Sequence, residues 1–436
     1  RAMHMSTKGL LTAGWQGDFA RDVERPRNNS NVTRFFYPYE NSHRFTAEYE
    51  TAGARGLSQL RVTGFFGTSD QRTDQDTFAT ATRARSLVRA DITANDFGLR
   101  AVAEKNTNRV RFEGGLDLNG RFGLEAHDIT VSYNLAGAET SVNDTLSTEN
   151  ARKVDTGLFA QARAVVAPKV NAAIGVRADV VSNTNRGGYF GNRSERNTSG
   201  SGFGSLTVGP FEGLSFTAQA SRGSRDPRLS DLYYRGPTGR GFITGNPDLS
   251  PETSLQFDLG AHYSSKAIRA GLYAYRYEIK NLIERYQTQT DFFFFRNRGT
   301  AKLTGWEAEL QATLGHGLSF EFAAQTMNGK AVDDGTGLDD LSPGSASVVV
   351  RQQIRTNGAL FFRVARFAEM DSPGPNETVA PGYTMLDAGA SWRIHKSLEL
   401  RGNARNLSNA EYHASPVARW VPGAGRSFSI GAVVGF

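Results

Sequence analysis

Apolar and polar residues alternate with a period of two in segment after segment of this chain, the pattern of strands with one apolar and one wet face. In the last segment Phe428, Ile430, Ala432, Val434 and Phe436 fall on one face, and Ser427, Ser429, Gly431 and Gly435 on the other. Leu398, Leu400, Gly402 and Ala404 oppose Glu399, Arg401, Asn403 and Arg405 in the same way. So do Trp306, Ala308, Leu310, Ala312 and Leu314 against Glu307, Glu309, Gln311 and Thr313, and Val110, Phe112, Gly114, Leu116 and Leu118 against Arg109, Arg111, Glu113 and Asp117. No segment longer than about ten residues keeps a 3.6-residue apolar period, which predicts almost no helix.

The connections decide between a soluble and a membrane setting, because soluble antiparallel sheets alternate too. Very short turns are expected at Ala94-Asn95, Asn119-Gly120, Pro168-Lys169, Ser264-Ser265, Gly315-His316, Asn357-Gly358 and His395-Lys396, several with the chemistry of tight hairpins. Between them lie long polar stretches at 20–43, 67–80, 132–155, 182–199, 223–250, 280–298, 329–342, 370–381 and 408–424. Alternating short and long connections put every long loop at one end of an up-and-down sheet. The expected fold is therefore all-β, a transmembrane antiparallel barrel of about 20–22 strands with short periplasmic turns and long extracellular loops, occupying residues 1–436 as one domain. Tyr273, Tyr275, Tyr277, Phe361, Phe362, Tyr383 and Trp392 are expected in interfacial girdles. A soluble propeller of the same length would show a fixed repeat near 42 residues, and the hairpins here vary too much for one.

Composition narrows the chemistry. No apolar run approaches the roughly 18 residues of a membrane-spanning helix. Cysteine is absent, which removes disulfides, thiolate metal sites and a Cys nucleophile. Fifty Lys and Arg against 44 Asp and Glu leave a net charge of +6, spread along the chain rather than gathered as in nucleic-acid binders, so no nucleic-acid partner is expected. His4, His43, His127, His262, His316, His395 and His413 show no ligand spacing, and Gly200, Gly202 and Gly204 lack the context of a phosphate loop. No enzyme activity and no metal site are expected.

The stretch Arg225-Asp-Pro-Arg-Leu-Ser-Asp-Leu-Tyr-Tyr234, followed by Gly245-Asn-Pro-Asp-Leu-Ser-Pro-Glu-Thr-Ser254, resembles the region shared by TonB-dependent outer-membrane receptors. Further resemblances follow in that family's order: Asn281-Leu282-Ile283, Asn297-Arg298-Gly299 leading to Gly305-Trp306-Glu307, Pro381-Gly382-Tyr383-Thr384, Leu386-Asp387, Asn406-Leu407 before Tyr412, and Gly425-Arg426-Ser427-Phe428. The C-terminal half carries them strongly; the N-terminal half carries the strand pattern and the segment Pro38 to His43. Independently of the family, Pro247 and Pro251 bias their predecessors to extended geometry and set off the strand entered at Glu252. Ser429, Gly431, Val434 and Phe436 are similar to the terminal signature read by the barrel-assembly machinery.

The resemblance implies an outer-membrane receptor of a Gram-negative bacterium that imports a scarce nutrient, a ferric siderophore first, with energy from the TonB-ExbB-ExbD complex. Cobalamin, haem and glycan cargoes are the alternatives, and a passive porin is the functional rival. Family members also carry a signal peptide, a TonB-contacting segment and a plug domain, none of which is recognisable here. Iron would enter only as part of a transported chelate, with no cofactor on the barrel itself, and the expected surroundings are outer-membrane lipid and lipopolysaccharide.

The candidate ligand site is the loop region. Arg222, Arg225, Arg228, Arg235 and Arg240 lie close to Tyr233 and Tyr234, and Arg285, Tyr286, Arg296 and Arg298 flank Phe292 to Phe295. Such clusters attract anions and stack on flat rings. Any one arginine equally suits a solvated loop or a lipopolysaccharide phosphate. Haem fits less well, because Ser224 stands where haem receptors have an aromatic and no His lies between Leu229 and Gly245.

Overall fold

The period-two alternation is realised as 21 strands in one sheet, in a computed structural model that describes residues 2–6, 9–24, 32–53, 56–238, 241–413 and 422–435. Strands β1 (Ala2–Ser6), β2 (Gly9–Glu24), β3 (Thr33–Ala52), β4 (Gln59–Thr77), β5 (Ser86–Asn106), β6 (Val110–Tyr133), β7 (Glu139–Ala167), β8 (Val170–Gly188), β9 (Asn192–Phe211) and β10 (Leu214–Arg225) each pair antiparallel with the next. A short helix α1 (Leu229–Tyr233) and the four-residue strands β11 (Arg235–Thr238) and β12 (Gly241–Thr244) interrupt the meander. It resumes through β13 (Glu252–Ser264), β14 (Ile268–Gln289), β15 (Phe292–Gly315), β16 (Leu318–Ala331), β17 (Ser345–Ile354), β18 (Gly358–Phe367), β19 (Tyr383–His395), β20 (Leu398–Arg405) and β21 (Ser427–Val434), with β10 paired to β13. Among the described residues β1 pairs with β2 alone and β21 with β20 alone.

Side-chain exposure follows the alternation. On β13 Leu255, Phe257 and Leu259 are 47%, 51% and 64% exposed, while Gln256 and Asp258 between them are half-buried. Polar groups turned inward and apolar groups left bare describe a wall with lipid outside and water inside. Trp306, Phe362 and Trp392 lie on the outward face as expected of girdles, joined by Phe66, Phe97 and Phe122, whose rings cluster within 6.4 Å. The tyrosines correct the expectation. Tyr275 stacks on Tyr277, whose hydroxyl donates to Asp258, so Tyr273, Tyr275 and Tyr277 line the interior; Phe361 lies over Gly389 and Tyr383 stacks between Phe367 and Tyr412 on the same inner side.

Repeatedly, an inner-face aromatic lies flat over a glycine on the neighbouring strand. A Cβ at Gly98 would sit 2.2 Å from the Phe65 ring, at Gly175 2.4 Å from Phe203, and at Gly389 2.2 Å from Phe361. Glycine is used here for close approach rather than for backbone freedom.

Turns at Pro168-Lys169, Ser264-Ser265, Gly315-His316, Asn357-Gly358 and His395-Lys396 fall between strands as expected. Ala94-Asn95 and Asn119-Gly120 do not: both lie inside the long strands β5 and β6, which turn at 107–109. The Asn-Gly pair misleads because Gly120 serves strand contact, a Cβ there meeting the Lys153 carbonyl oxygen at 2.1 Å. Several expected loops are strand as well. Residues 139–155, 182–188, 192–199 and 280–289 extend β7, β8, β9 and β14 into hairpins. At roughly 3.3 Å per residue, the 29 residues of β7 far exceed the 9–11 needed to cross a bilayer. Beyond the membrane both faces are wet, so the alternation disappears from the sequence while the strand continues.

Candidate binding vestibule

The segment after β10 folds back against the inner wall at the long-connection end. It is anchored first by burial: Leu229, Leu232, Tyr233 and Leu249 pack on Ala94, Leu124 and Ala151 of β5, β6 and β7. Polar ties fix its position. Lys153 Nζ donates to Asp226 Oδ1 and to the Pro227 carbonyl, each at 2.7 Å, and Asn183 and Asn197 donate to the same Asp226 carboxylate at 2.8 Å. Thr148 Oγ1 donates to the Tyr233 carbonyl at 2.7 Å. The diagnostic Asn246-Pro247 stretch has a structural job here: the Asn246 side chain donates to the Phe295 carbonyl at 3.1 Å and accepts from the Asp248 amide at 3.0 Å, and β13 begins at Glu252 as the prolines predict. β12 then adds in parallel to the start of β15, Phe242 opposite Phe292.

Four of the candidate arginines are held by carboxylates. Arg225 donates to both oxygens of Glu252, at 2.6 and 3.0 Å, and reaches Asp231 at 3.3 Å. Arg235 bonds Asp128 at 3.0 Å and lies over the rings of Tyr189 and Phe242. Arg296 pairs with Glu284 and stacks on Tyr286, which in turn lies 6.0 Å from Phe294. Arg298 is buried, shares Glu284 at 3.1 Å and also bonds Asp334 and Thr336. Arg285 lies over Phe293 at 4.8 Å. These groups organise the loops.

Arg222 stands apart. It pairs in register with Leu255 and so shares the outward, lipid-side face. Tyr233 is buried, which pushes its phenol up to about 12, and burial raises Tyr234 further, its hydroxyl donating to the Pro237 carbonyl at 2.7 Å. Both remain neutral. Arg240 lies outside the described residues, as does Phe436; Ser429, Gly431 and Val434 sit on β21, opposite Asn403, Arg401 and Leu398.

Beneath the folded-in segment lies a cavity of about 1370 Å³, lined among others by Arg44, Phe65, Arg121, Arg228, Asp231 and Arg285. Arg121 is neutralised by Asp96 at 2.8 Å. Arg44 lies 4.2 Å over the Phe65 ring, and neither its side chain nor that of Arg228 has a carboxylate partner among the described residues. Arg44 is absent from the sequence-derived candidates. Its only signal there is the Pro38 to His43 segment beside it.

A wall of this pattern defines a transmembrane β-barrel. The family described as "TonB dependent receptor-like, beta-barrel" matches residues 5–407, and the chain belongs to it. It is a Gram-negative outer-membrane barrel, of a fold and family whose members are receptors and transporters. Among curated proteins it is 25% identical over 226 residues to a vitamin B12 transporter, BtuB, of Vibrio vulnificus, covering 51% of this chain and 35% of that one. It is also 25% identical over 240 residues to hemoglobin and hemoglobin-haptoglobin-binding protein A of Haemophilus influenzae, covering 47% and 22%. The match thus spans about a third of the curated relatives' length or less. Among solved structures the copper transporter OprC superposes with a TM-score of 0.79 at 15% identity, covering 98% of this chain and 76% of that one. The siderophore receptor PiuA of Acinetobacter baumannii superposes at 0.72 and 14%, covering 98% and 71%.

Proposed function

We propose that this barrel belongs to an energy-coupled uptake receptor that captures an anionic metal chelate, a ferric siderophore first, and admits it with energy from the TonB-ExbB-ExbD complex. The observation that supports the reading is the cavity under the inward loop, where Arg44 and Arg228 have no ion-pair partner among the described residues, while Asp96, Asp231, Glu284, Asp339 and Asp340 share the lining. Cations gathered on a concave surface attract an anionic guest more strongly than isolated ones. Of the arginines first singled out, Arg228 lines the cavity, while Arg225, Arg235, Arg296 and Arg298 act indirectly, by fixing the rim. A passive porin is disfavoured by the match of the receptor family's barrel to residues 5–407.

A second reading is cobalamin uptake, favoured by the likeness to the vitamin B12 transporter. Binding of ferric citrate, a ferric tricatecholate and cobalamin to the full-length receptor, followed by fluorescence quenching, separates the two. Saturable binding of a ferric chelate, weakened by Arg44→Ala, supports the first. Binding of cobalamin alone sinks it, and binding of none of them removes both.

A further inference from the structure

The ladder registers place a row of charged residues on the outer surface of the barrel. Arg222 of β10 is opposite Leu255 of β13, which is opposite Glu278 of β14, then Lys302 of β15, then Lys330 of β16. Directly opposed residues of an antiparallel pair share a face, and Leu255 faces outward. Ile279 and Leu303, of the opposite parity, line the inner cavity, which confirms the direction. Arg276 and Lys280 flank Glu278 on that same outer face of β14.

Arg276, Lys280, Lys302 and Lys330 are exposed, and none has an ion-pair partner among the described residues; Glu278 is the one acid in their midst. Their height is set by the girdle. Lys302 lies four residues beyond the outward Trp306 on β15, about 13 Å along the tilted strand, which raises it about 10 Å along the membrane normal to headgroup level. Below them the same face is apolar, with Leu272 and Trp306 exposed. Lys280 and Lys330 stand two strand spacings apart, about 10 Å, room for two phosphates rather than one.

From this juxtaposition we infer that the outer face of β14–β16 is a docking site for a bisphosphorylated, multiply acylated lipid of the outer leaflet, the lipid A portion of lipopolysaccharide. Lys280, Lys302 and Lys330 bind the phosphates as point charges, Arg276 reaches up from below, and the acyl chains run down the Leu272 and Trp306 surface. This assignment rests on the outer-membrane placement of the barrel and is independent of the cargo.

The test uses the full-length receptor, extracted from outer membranes, and a K280Q/K302Q/K330Q variant. Co-purified lipid is quantified by phosphate analysis and mass spectrometry; delipidated samples are then titrated with bisphosphorylated and dephosphorylated lipid A. Wild type is expected to retain lipid A and to bind the bisphosphorylated form roughly a hundredfold more tightly than the triple-Gln variant does, on the scale of one surface charge per contact. A triple-Arg variant restores binding, which separates charge loss from misfolding, and K169Q/K396Q at the opposite end leaves it unchanged. Equal retention by wild type and triple-Gln variant overturns the proposal. So does equal affinity for the dephosphorylated lipid, or full competition by inorganic phosphate at the lipid's own concentration.

Discussion

The ammonium of Lys153, on the barrel wall, donates to the carboxylate of Asp226 at 2.7 Å and to the carbonyl of the next residue, Pro227, at the same distance. Both side chains are largely buried, so the contact is a tether between the wall and the segment that covers the vestibule. Lys153→Ala leaves Asp226 with only its two asparagine donors. The tether is expected to lose about 1.5–3 kcal/mol of local stability. Limited proteolysis of intact receptor is expected to cut between 226 and 251 faster in the variant, with the barrel itself still resistant.

Arg298 and Glu284 test the rim in another way. Their side chains are 5% and 9% exposed, and removing the arginine leaves the buried Glu284 with Arg296 as its remaining partner and takes the cation from Asp333 and Asp334. Arg298→Leu is expected to destabilise by about 3–5 kcal/mol, and Arg298→Leu with Glu284→Leu to recover most of it. The temperature at which the folded band converts to the unfolded one on heated gels reports both. A small loss in Arg298→Leu alone would show that Arg296 suffices for Glu284.

Arg44→Ala and Arg225→Ala are expected to differ in kind. The first removes a cation from the cavity and raises the Kd of an anionic chelate about tenfold, with loop protection from protease unchanged. The second releases Glu252 and Asp231, so it loosens the segment first and binding only as a consequence. Parallel binding and proteolysis measurements distinguish them.

The loop at 332–344 has a pH signature. Asp334 is held below its ordinary carboxylate value by the Thr336 amide and hydroxyl, with Arg298 adding to the effect. Because the folded group is the stronger acid, its contribution is complete above the ordinary value near 3.8 and is lost as pH falls through the lower folded one. Hydrogen exchange at the Thr336 amide is expected to accelerate, beyond its intrinsic pH dependence, only in that acid range, and Asp334→Asn to abolish the transition.

Gly98→Val places a branched side chain where the Phe65 ring lies, 2.2 Å from the first added carbon. The ring has to leave the wall, at an expected cost of about 1–3 kcal/mol. A smaller loss in Gly98→Val with Phe65→Leu would confirm that the cost comes from that overlap, and equal losses would refute it.

The sequence shows the fold wherever lipid enforces alternation, as at Trp306 to Leu314 or Phe428 to Val434. It hides the fold where water wets both faces, so β7 and β14 beyond the bilayer read as loops. Asn119-Gly120 reads as a turn because the same dipeptide serves hairpins and close strand contact. At the site, the Arg225–Pro251 stretch coincides with the segment that folds onto the inner wall, but the role of its arginines depends on remote partners. Asp128 lies 107 residues from Arg235, and no local pattern announces that it neutralises it. Arg44 escapes for the converse reason: no cluster of arginines surrounds it in sequence, and only folding brings it into the cavity that α1 also lines.

The rings laid over Gly98, Gly175 and Gly389 govern what the interior can accommodate. Upright, each phenyl group would project several ångströms into the bore; lying flat, it adds little more than the thickness of a ring. The three rings therefore lie along the wall instead of standing across the bore, and two of them, Phe65 and Phe361, carry an arginine above them. What stands out into the bore is then the polar side chains and the folded-in segment, not the aromatic rings.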